Sequence, residues 1–298
     1  MKRVLKWIGI ALGSVIVLAL VAVGVLYAVS GSKLSAKKTI AAEPVLTIPN
    51  DSASIERGAR LVRSLPCGQC HGDDLGGRVF ADAGPFGLLT APNITRGRGG
   101  RQPPLTDAEW ERAIRHGVRR DSTSLVIMPS EVFNAVTDQD MASMIAYLKE
   151  LPPVDRDVPP FKLRVIGRVL LALGQLPLAA DTTPKTAHTA SVDTTPSAEY
   201  GRYLVAISGC QGCHGNSLSG GPGFGPSGGQ VSNITPTGIG HYTEADFFRA
   251  LREGERPRGA APLSEEMPWK SFRNMTDAQL RSIFMYLQTV PPKQFAEP

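Results

Sequence analysis

The sequence predicts an all-α protein of two tandem helical domains behind one N-terminal transmembrane helix. Three observations carry this expectation. An uncharged apolar run opens the chain, the remainder contains one long internal repeat, and each copy of the repeat carries its own capped, amphipathic helices. The full chain has 298 residues, enough for two domains of ordinary size and an anchor.

The apolar run extends from Ile8 to Val29, 22 residues without a charge. At about 1.5 Å per residue it is long enough to cross a bilayer as a helix. Lys2, Arg3 and Lys6 precede it, and Lys33, Lys37 and Lys38 follow. Residues 1–30 therefore read as a transmembrane anchor or signal-anchor, and 31–51 as a linker. The competing expectation is a signal peptide cut before Gly31, with small residues Ala28 and Ser30 upstream of the cut.

The formal net charge is +5, but the six cations just named all precede the first acid, Glu43. Without them the rest of the chain stands at −1, so the basic balance belongs to the anchor and gives no reason to expect a nucleic acid partner. Charged residues at 20% and hydrophobic residues at 42% exclude both a disordered chain and a polytopic membrane protein.

The repeat is read from matched residues. Gly58-Ala59-Arg60-Leu61-Val62 aligns with Gly201-Arg202-Tyr203-Leu204-Val205, and Cys67, Cys70 and His71 with Cys210, Cys213 and His214, all 143 positions on. Asn93-Ile94-Thr95 aligns with Asn233-Ile234-Thr235, Met128-Pro129 with Met267-Pro268, and Tyr147-Leu148 with Tyr286-Leu287. The offset stays between 137 and 143, so the copies differ by small insertions. The domains are placed at 52–153 and 196–293.

Each copy predicts three helices. The first runs over about 54–65 or 197–208. The second starts at Thr106 or Thr243, and Thr106-Asp107-Ala108-Glu109 has the pattern of a capping box, Ser/Thr at the cap and Glu three residues on. The third follows Thr137 or Thr276, where Thr276 and Gln279 repeat the capping logic. It aligns Met141, Ile145 and Leu148, or Leu280, Ile283, Phe284 and Leu287, on one face. Double prolines at 152–153 and 291–292 end it. Between helices, Gly and Pro predict loops with little strand.

The join at 154–195 has two parts. Residues 181–195 are rich in threonine and predict a flexible tether. Residues 161–178 are apolar, too short to span a membrane, and interrupted by Gly174 and Pro177. They predict a strap packed across the two lobes, with the membrane surface as the alternative.

The four cysteines form two Cys-x-x-Cys-His motifs, with none left over. The motif suits attachment of a c-type haem: two thiols bond one edge of the macrocycle and the adjacent histidine reaches the iron. A thiol redox pair would not need the histidine. A zinc site would have to join the two motifs, although each copy repeats the whole motif with its own helices. Aromatic residues at 6% leave little to fill two small cores, a gap that a buried haem would close. Haem attachment outside the bacterial inner membrane also places the domains in the periplasm and the amino terminus inside.

Met128 and Met267 are the expected sixth ligands. Each precedes a proline, 57 and 53 residues after its histidine, and a thioether on iron raises the potential. Met141, Met144, Met275 and Met285 read as ordinary core methionines. His116 faces Glu253 in the other copy, His188 falls in the tether and is expected in solvent, and His241 stands near a middle helix, where a propionate contact is open. Asn93 and Asn233 are expected to hold loops over a haem edge or to make plain turns. Trp269 is expected to pack on the second haem or to be simply buried.

These residues together resemble the class I cytochromes c, over both repeats and about two thirds of the chain. The second copy is more specific. Asn233-Ile-Thr-Pro236, Thr237-Gly-Ile-Gly240, Phe248-Arg-Ala-Leu-Arg-x-Gly254, Met267-Pro-Trp269 and Tyr286-Leu-Gln-Thr-Val-Pro-Pro292 resemble the cytochrome c subunits of membrane-bound alcohol and sugar-acid dehydrogenases. The resemblance implies two covalently attached haem c groups held by Cys67, Cys70, His71 and Met128, and by Cys210, Cys213, His214 and Met267. It implies electron relay to or from redox partner proteins: a dehydrogenase subunit, an oxidase or a soluble cytochrome. With both irons saturated, no position is open for substrate, so relay is expected over a dihaem peroxidase. An oxidase cytochrome subunit is the neighbouring alternative.

Overall fold

The computed structural model describes residues 2–40, 45–184, 188–223, 229–257 and 260–298. Residues 41–44 of the expected linker and 185–187 of the expected tether lie outside the described residues. Helix α1 (Lys2–Ser35) contains the apolar run and continues past it, through the expected cleavage position. It is long and apolar enough to cross a membrane, and its apolar stretch has no buried residue.

The first half of the rest holds α2 (Ser52–Ser64), α3 (Cys67–His71), β1 (Arg78–Asp82), β2 (Gly87–Ala91), α4 (Asp107–His116), α5 (Ser130–Phe133) and α6 (Asp138–Lys149). The join holds β3 (Lys162–Leu163), α7 (Val165–Ala172) and α8 (Ala179–Thr182). The second half holds α9 (Ala198–Ile207), α10 (Cys210–His214), β4 (Gly221–Pro222), β5 (Gln230–Val231), α11 (Pro236–Ile239), α12 (Glu244–Glu253), α13 (Trp269–Phe272) and α14 (Asp277–Thr289).

Helix starts follow the caps. Thr106 and Glu109 form a reciprocal capping box at α4, and Thr276 and Gln279 do so at α14. Thr243 pairs with Asp246 in the same way at α12. Each box satisfies backbone N–H groups that have no partner inside the helix. The first and last helices of each half cross and bury their apolar stripes: Leu61, Val62 and Leu65 meet Met141, Ile145 and Leu148, while Leu204, Val205 and Ile207 meet Leu280, Ile283 and Leu287. Burying one such side chain contributes about 1.5–3 kcal/mol, and the crossings carry several each.

The all-α expectation needs correction. β1, β2 and β3 form an antiparallel sheet in that order, with Arg78 opposite Ala91 and Gly87 opposite Leu163. Val79, Phe80, Leu88 and Leu89 suit a half-buried strand pair, and the Gly84-Pro85 turn between them lets the chain reverse. Among the described residues, the counterpart in the second half, β4 and β5, is two residues long on each side.

The strap is also corrected. It does not lie across the two halves. β3 pairs with β2, and α7 packs on the end of α1. Lys33 Nζ donates to the Leu171 and Ala172 carbonyls at 3.0 Å, closing the C-terminal end of α7. Leu163, Leu171 and Leu178 form a small core with Val126, separate from the main one.

Beyond residue 187 the tether is docked rather than free. The Thr189 and Ala190 carbonyls accept from the Asp138 and Gln139 N–H groups, serving the open N-terminus of α6. His188 is half-buried; its Nδ1 lies 3.1 Å from the Asn134 carbonyl and its ring meets His116 edge-on. The expectation that His188 stands in solvent is therefore wrong.

The halves share one continuous apolar core. They are clasped by polar contacts as well. Tyr203 Oη donates to Asp140 Oδ2 at 2.6 Å and accepts from Thr137 N–H, and Asn274 Nδ2 donates to the Arg63 carbonyl.

Candidate functional site

Helices α2 and α9 deliver the chain to the two Cys-x-x-Cys-His motifs, and each motif is itself one short helix, α3 or α10. The loop that follows folds back on the motif. Gly77 N–H donates to the His71 carbonyl and Gly220 N–H to that of His214, at 2.7 and 2.9 Å. Leu75 and Leu218 next to these turns have φ of 56° and 62°, in the left-handed region that a leucine rarely adopts. Both side chains are buried in the core, which holds the strained backbone in place.

The same loop orients each imidazole. His71 Nδ1 lies 3.0 Å from the Pro92 carbonyl, and His214 Nδ1 lies 2.7 Å from that of Ser232. A carbonyl accepts only, so Nδ1 carries the proton and Nε2 keeps its lone pair. Burial lowers the pKa of both rings; for His71 the Pro92 bond opposes this and the Arg101 charge adds to it. A neutral ring with a fixed tautomer and a free Nε2 is what an axial metal ligand requires.

None of the four cysteines pairs in a disulfide. Burial pushes Cys67 and Cys210 up to about 12 and raises Cys70 as well. A thiol redox pair needs the opposite shift. Among the described residues, no three His, Cys, Asp or Glu side chains gather as a metal-holding group.

Met128 and Met267 sit alike. Each is half-buried at the edge of the core, and its carbonyl accepts from the N–H two residues on, at 2.8 and 2.9 Å, just before the short helix α5 or α13. Met141, Met144 and Met275 are fully inside the core. Met285 is 39% exposed and so is not a core residue; it falls on the outer face of α14.

Asn93 and Asn233 hold loops through backbone. Asn93 Oδ1 accepts from Thr95 N–H and Oγ1, and its Nδ2 donates to the Val154 carbonyl at 2.7 Å. Asn233 does the same with Thr235 and the Lys293 carbonyl, also at 2.7 Å. Each asparagine therefore ties the loop carrying the histidine's acceptor to the segment after the last helix. His241 is exposed, with its ring edge on Tyr242.

Trp269 packs on Gly254, the left-handed residue that ends α12, and its Nε1 is buried with no hydrogen-bond partner among the described residues. A buried donor without an acceptor is costly, so this atom suits a crevice that receives another group. The sequence alone did not single out Arg101, nor the carbonyls of Pro92 and Ser232. The signal for the carbonyls was present: both stand immediately before Asn-Ile-Thr in the repeat.

Comparison with known proteins finds likeness to cytochrome c subunits. Residues 53–148 match the family described as cytochrome c oxidase, cbb3-type, subunit III. Over 87% of its length the chain is 29% identical to the fructose dehydrogenase cytochrome subunit of Gluconobacter japonicus, covering 58% of that protein. It is 28% identical, over 81% of its length, to the cytochrome c subunit of a quinone-dependent alcohol dehydrogenase from Gluconacetobacter polyoxogenes, covering 57% of it. It is also 29% identical over 79% of its length to a dihaem c-type cytochrome of Cereibacter sphaeroides, covering 85% of it. The chain thus spans less than three fifths of the two dehydrogenase subunits.

Proposed function

We propose that this chain, which carries a cytochrome c domain at residues 53–148, is a membrane-anchored dihaem electron relay working with a dehydrogenase. The observation that carries the proposal is the duplicated histidine geometry: His71 and His214 each give Nδ1–H to a backbone carbonyl and keep Nε2 free. On this reading residues 196–293 are a second domain of the same kind.

Haem c supplies a one-electron iron couple when bound. The chain's residues hold and tune it. Cys67 and Cys70, and Cys210 and Cys213, provide the thioether bonds. His71 and His214 would each offer the iron an imidazole nitrogen, and Met128 and Met267 a thioether sulfur. Trp269 Nε1 is a free donor for a propionate in the second half. Arg101 supplies positive charge beside His71 in the first. With these ligands supplied by the chain no position would be left for substrate, so the chain would pass electrons without making bonds. Helix α1 anchors it, with the haem domains in the periplasm.

The test is haem content and ligation. Denatured protein should show two haems per chain, and Cys67→Ala with Cys70→Ala should leave one. The reduced native protein should bind no carbon monoxide; rapid binding would indicate an open iron and favour a peroxidase. The match of 53–148 to an oxidase subunit family supports a second reading, an oxidase cytochrome subunit. The dehydrogenase reading is preferred because those relatives align over more than four fifths of the chain. Co-purification from native membranes with a dehydrogenase, rather than with an oxidase, decides between them.

A further inference from the structure

A cleft of about 620 Å³ opens between α1, the strap and the loop before Met128. Tyr27 and Leu34 of α1 form one lip, and Val126, Phe161 and Leu163 form an apolar wall. Its charged lining is Arg119, Lys162, Arg164 and Arg168, with no acid among the lining residues. Two of these are engaged: Arg164 pairs with Asp82 at 2.5 Å, and Arg119 donates to the Ser124 carbonyl. Lys162 and Arg168 form no ion pair among the described residues. The Arg168 guanidinium stands 5.7 Å from the Tyr27 ring centre and reaches Ser30 Oγ at 3.3 Å, while its Nε is buried without a partner.

The height of this cleft along α1 is informative. Tyr27 lies near the end of the apolar run and Ser30 is the first residue beyond it. An aromatic ring and basic side chains at this level mark the water interface of a bilayer. Val165 and Ile166 on α7, and Leu173 at its C-terminal cap, are about half exposed beside it, and extend the apolar surface toward the lipid.

We propose that the cleft holds one anionic phospholipid of the leaflet from which α1 emerges, its phosphate between Lys162 and Arg168 and its acyl chains along α1 and α7. This rests on α1 crossing the membrane. Charge decides the class of lipid: a zwitterionic headgroup leaves the cations uncompensated, whereas an anionic one meets them with charge-assisted hydrogen bonds. The site fixes the tilt of the haem domains on the membrane, because the same strap bonds both to β2 and to α1.

The full-length haem-loaded protein in detergent tests this. It is titrated with short-chain phosphatidylglycerol, short-chain phosphatidylcholine and inorganic phosphate, and bound lipid is counted by native mass spectrometry. One phosphatidylglycerol is expected to be retained, without retention of phosphatidylcholine and without displacement by equimolar phosphate. Lys162→Gln with Arg168→Gln should weaken binding about 30-fold, since each basic residue near an anionic surface contributes about a factor of five. Asp82→Asn, which frees Arg164, should tighten it and keeps the test alive if the double variant misfolds. Equal retention of phosphatidylcholine, displacement by phosphate, or unchanged binding in these variants overturns the proposal. Carbonate extraction of membranes reads the anchor separately. Protein that stays in the pellet but binds no phosphatidylglycerol refutes the site alone; protein that washes off refutes the anchor and the site with it.

Discussion

Gly58 of α2 lies against Ser143 of α6 so closely that a Cβ on Gly58 would stand 1.9 Å from the Ser143 carbonyl oxygen. Gly201 of α9 stands in the same relation to Ser282 of α14, at 1.8 Å. Contact at this range is with backbone, which cannot turn aside. The two helices must separate to admit a methyl group, and the motif that follows α2 or α9 would shift with them.

Gly58→Ala therefore sets two effects against each other. Alanine favours an isolated helix over glycine by about 0.5–1 kcal/mol. Overpacking a tight crossing costs about 1–3 kcal/mol, so the variant should be destabilised, and Gly201→Ala likewise. Urea unfolding of the haem-loaded protein checks this; a raised midpoint would show that the crossing yields freely.

Tyr203→Phe should loosen the joint between the halves. Asp140 keeps Arg57, with Nε at 2.5 Å, but loses the phenol, and Thr137 N–H loses its acceptor. Losing a buried hydrogen bond of this kind costs about 1–3 kcal/mol. The urea midpoint should fall while the haem absorption spectrum stays unchanged. A spectral change would place Tyr203 in the site rather than in the joint.

Met128→His and Met267→His should each lower the potential of one haem and leave the other in place. Axial ligands set haem potentials over a range of about 0.8 V, so the drop should be plain in a redox titration. A variant whose two potentials match the wild type excludes that methionine as the ligand.

Acid should weaken the first half through Glu109. The Arg120 guanidinium beside it holds its carboxyl down to about 2, from an ordinary 4.5. A depressed carboxylate stabilises the fold above its unfolded pKa, and that contribution fades as pH falls from about 4.5 toward 2. Glu109→Gln should thus flatten the acid limb of stability across this window, read by urea midpoints at several pH values. An unaltered limb would assign acid sensitivity to other carboxylates.

The legible parts of this protein were those that repeat or that carry local rules. Thr106, Thr137, Thr243 and Thr276 each cap a helix where the pattern placed one, because a cap is satisfied within three residues. The hairpin of β1 and β2 was missed because its apolar residues are few and a single pair of strands carries weak periodicity. The docked tether was missed for another reason. Its composition is polar, and what holds Thr189 and Ala190 is the open N-terminus of α6, fifty residues earlier in the chain.

The sequence by itself determined the modules: a long apolar helix, a duplicated Cys-x-x-Cys-His unit and a candidate methionine in each copy, all written in short-range spacing. Only the tertiary structure decided which carbonyl holds each histidine, that the halves share a core through Tyr203 and Asp140, and that the strap binds α1 instead of bridging the halves. Those outcomes depend on which distant surfaces meet and leave backbone groups to be satisfied. Residue type and spacing do not encode that directly.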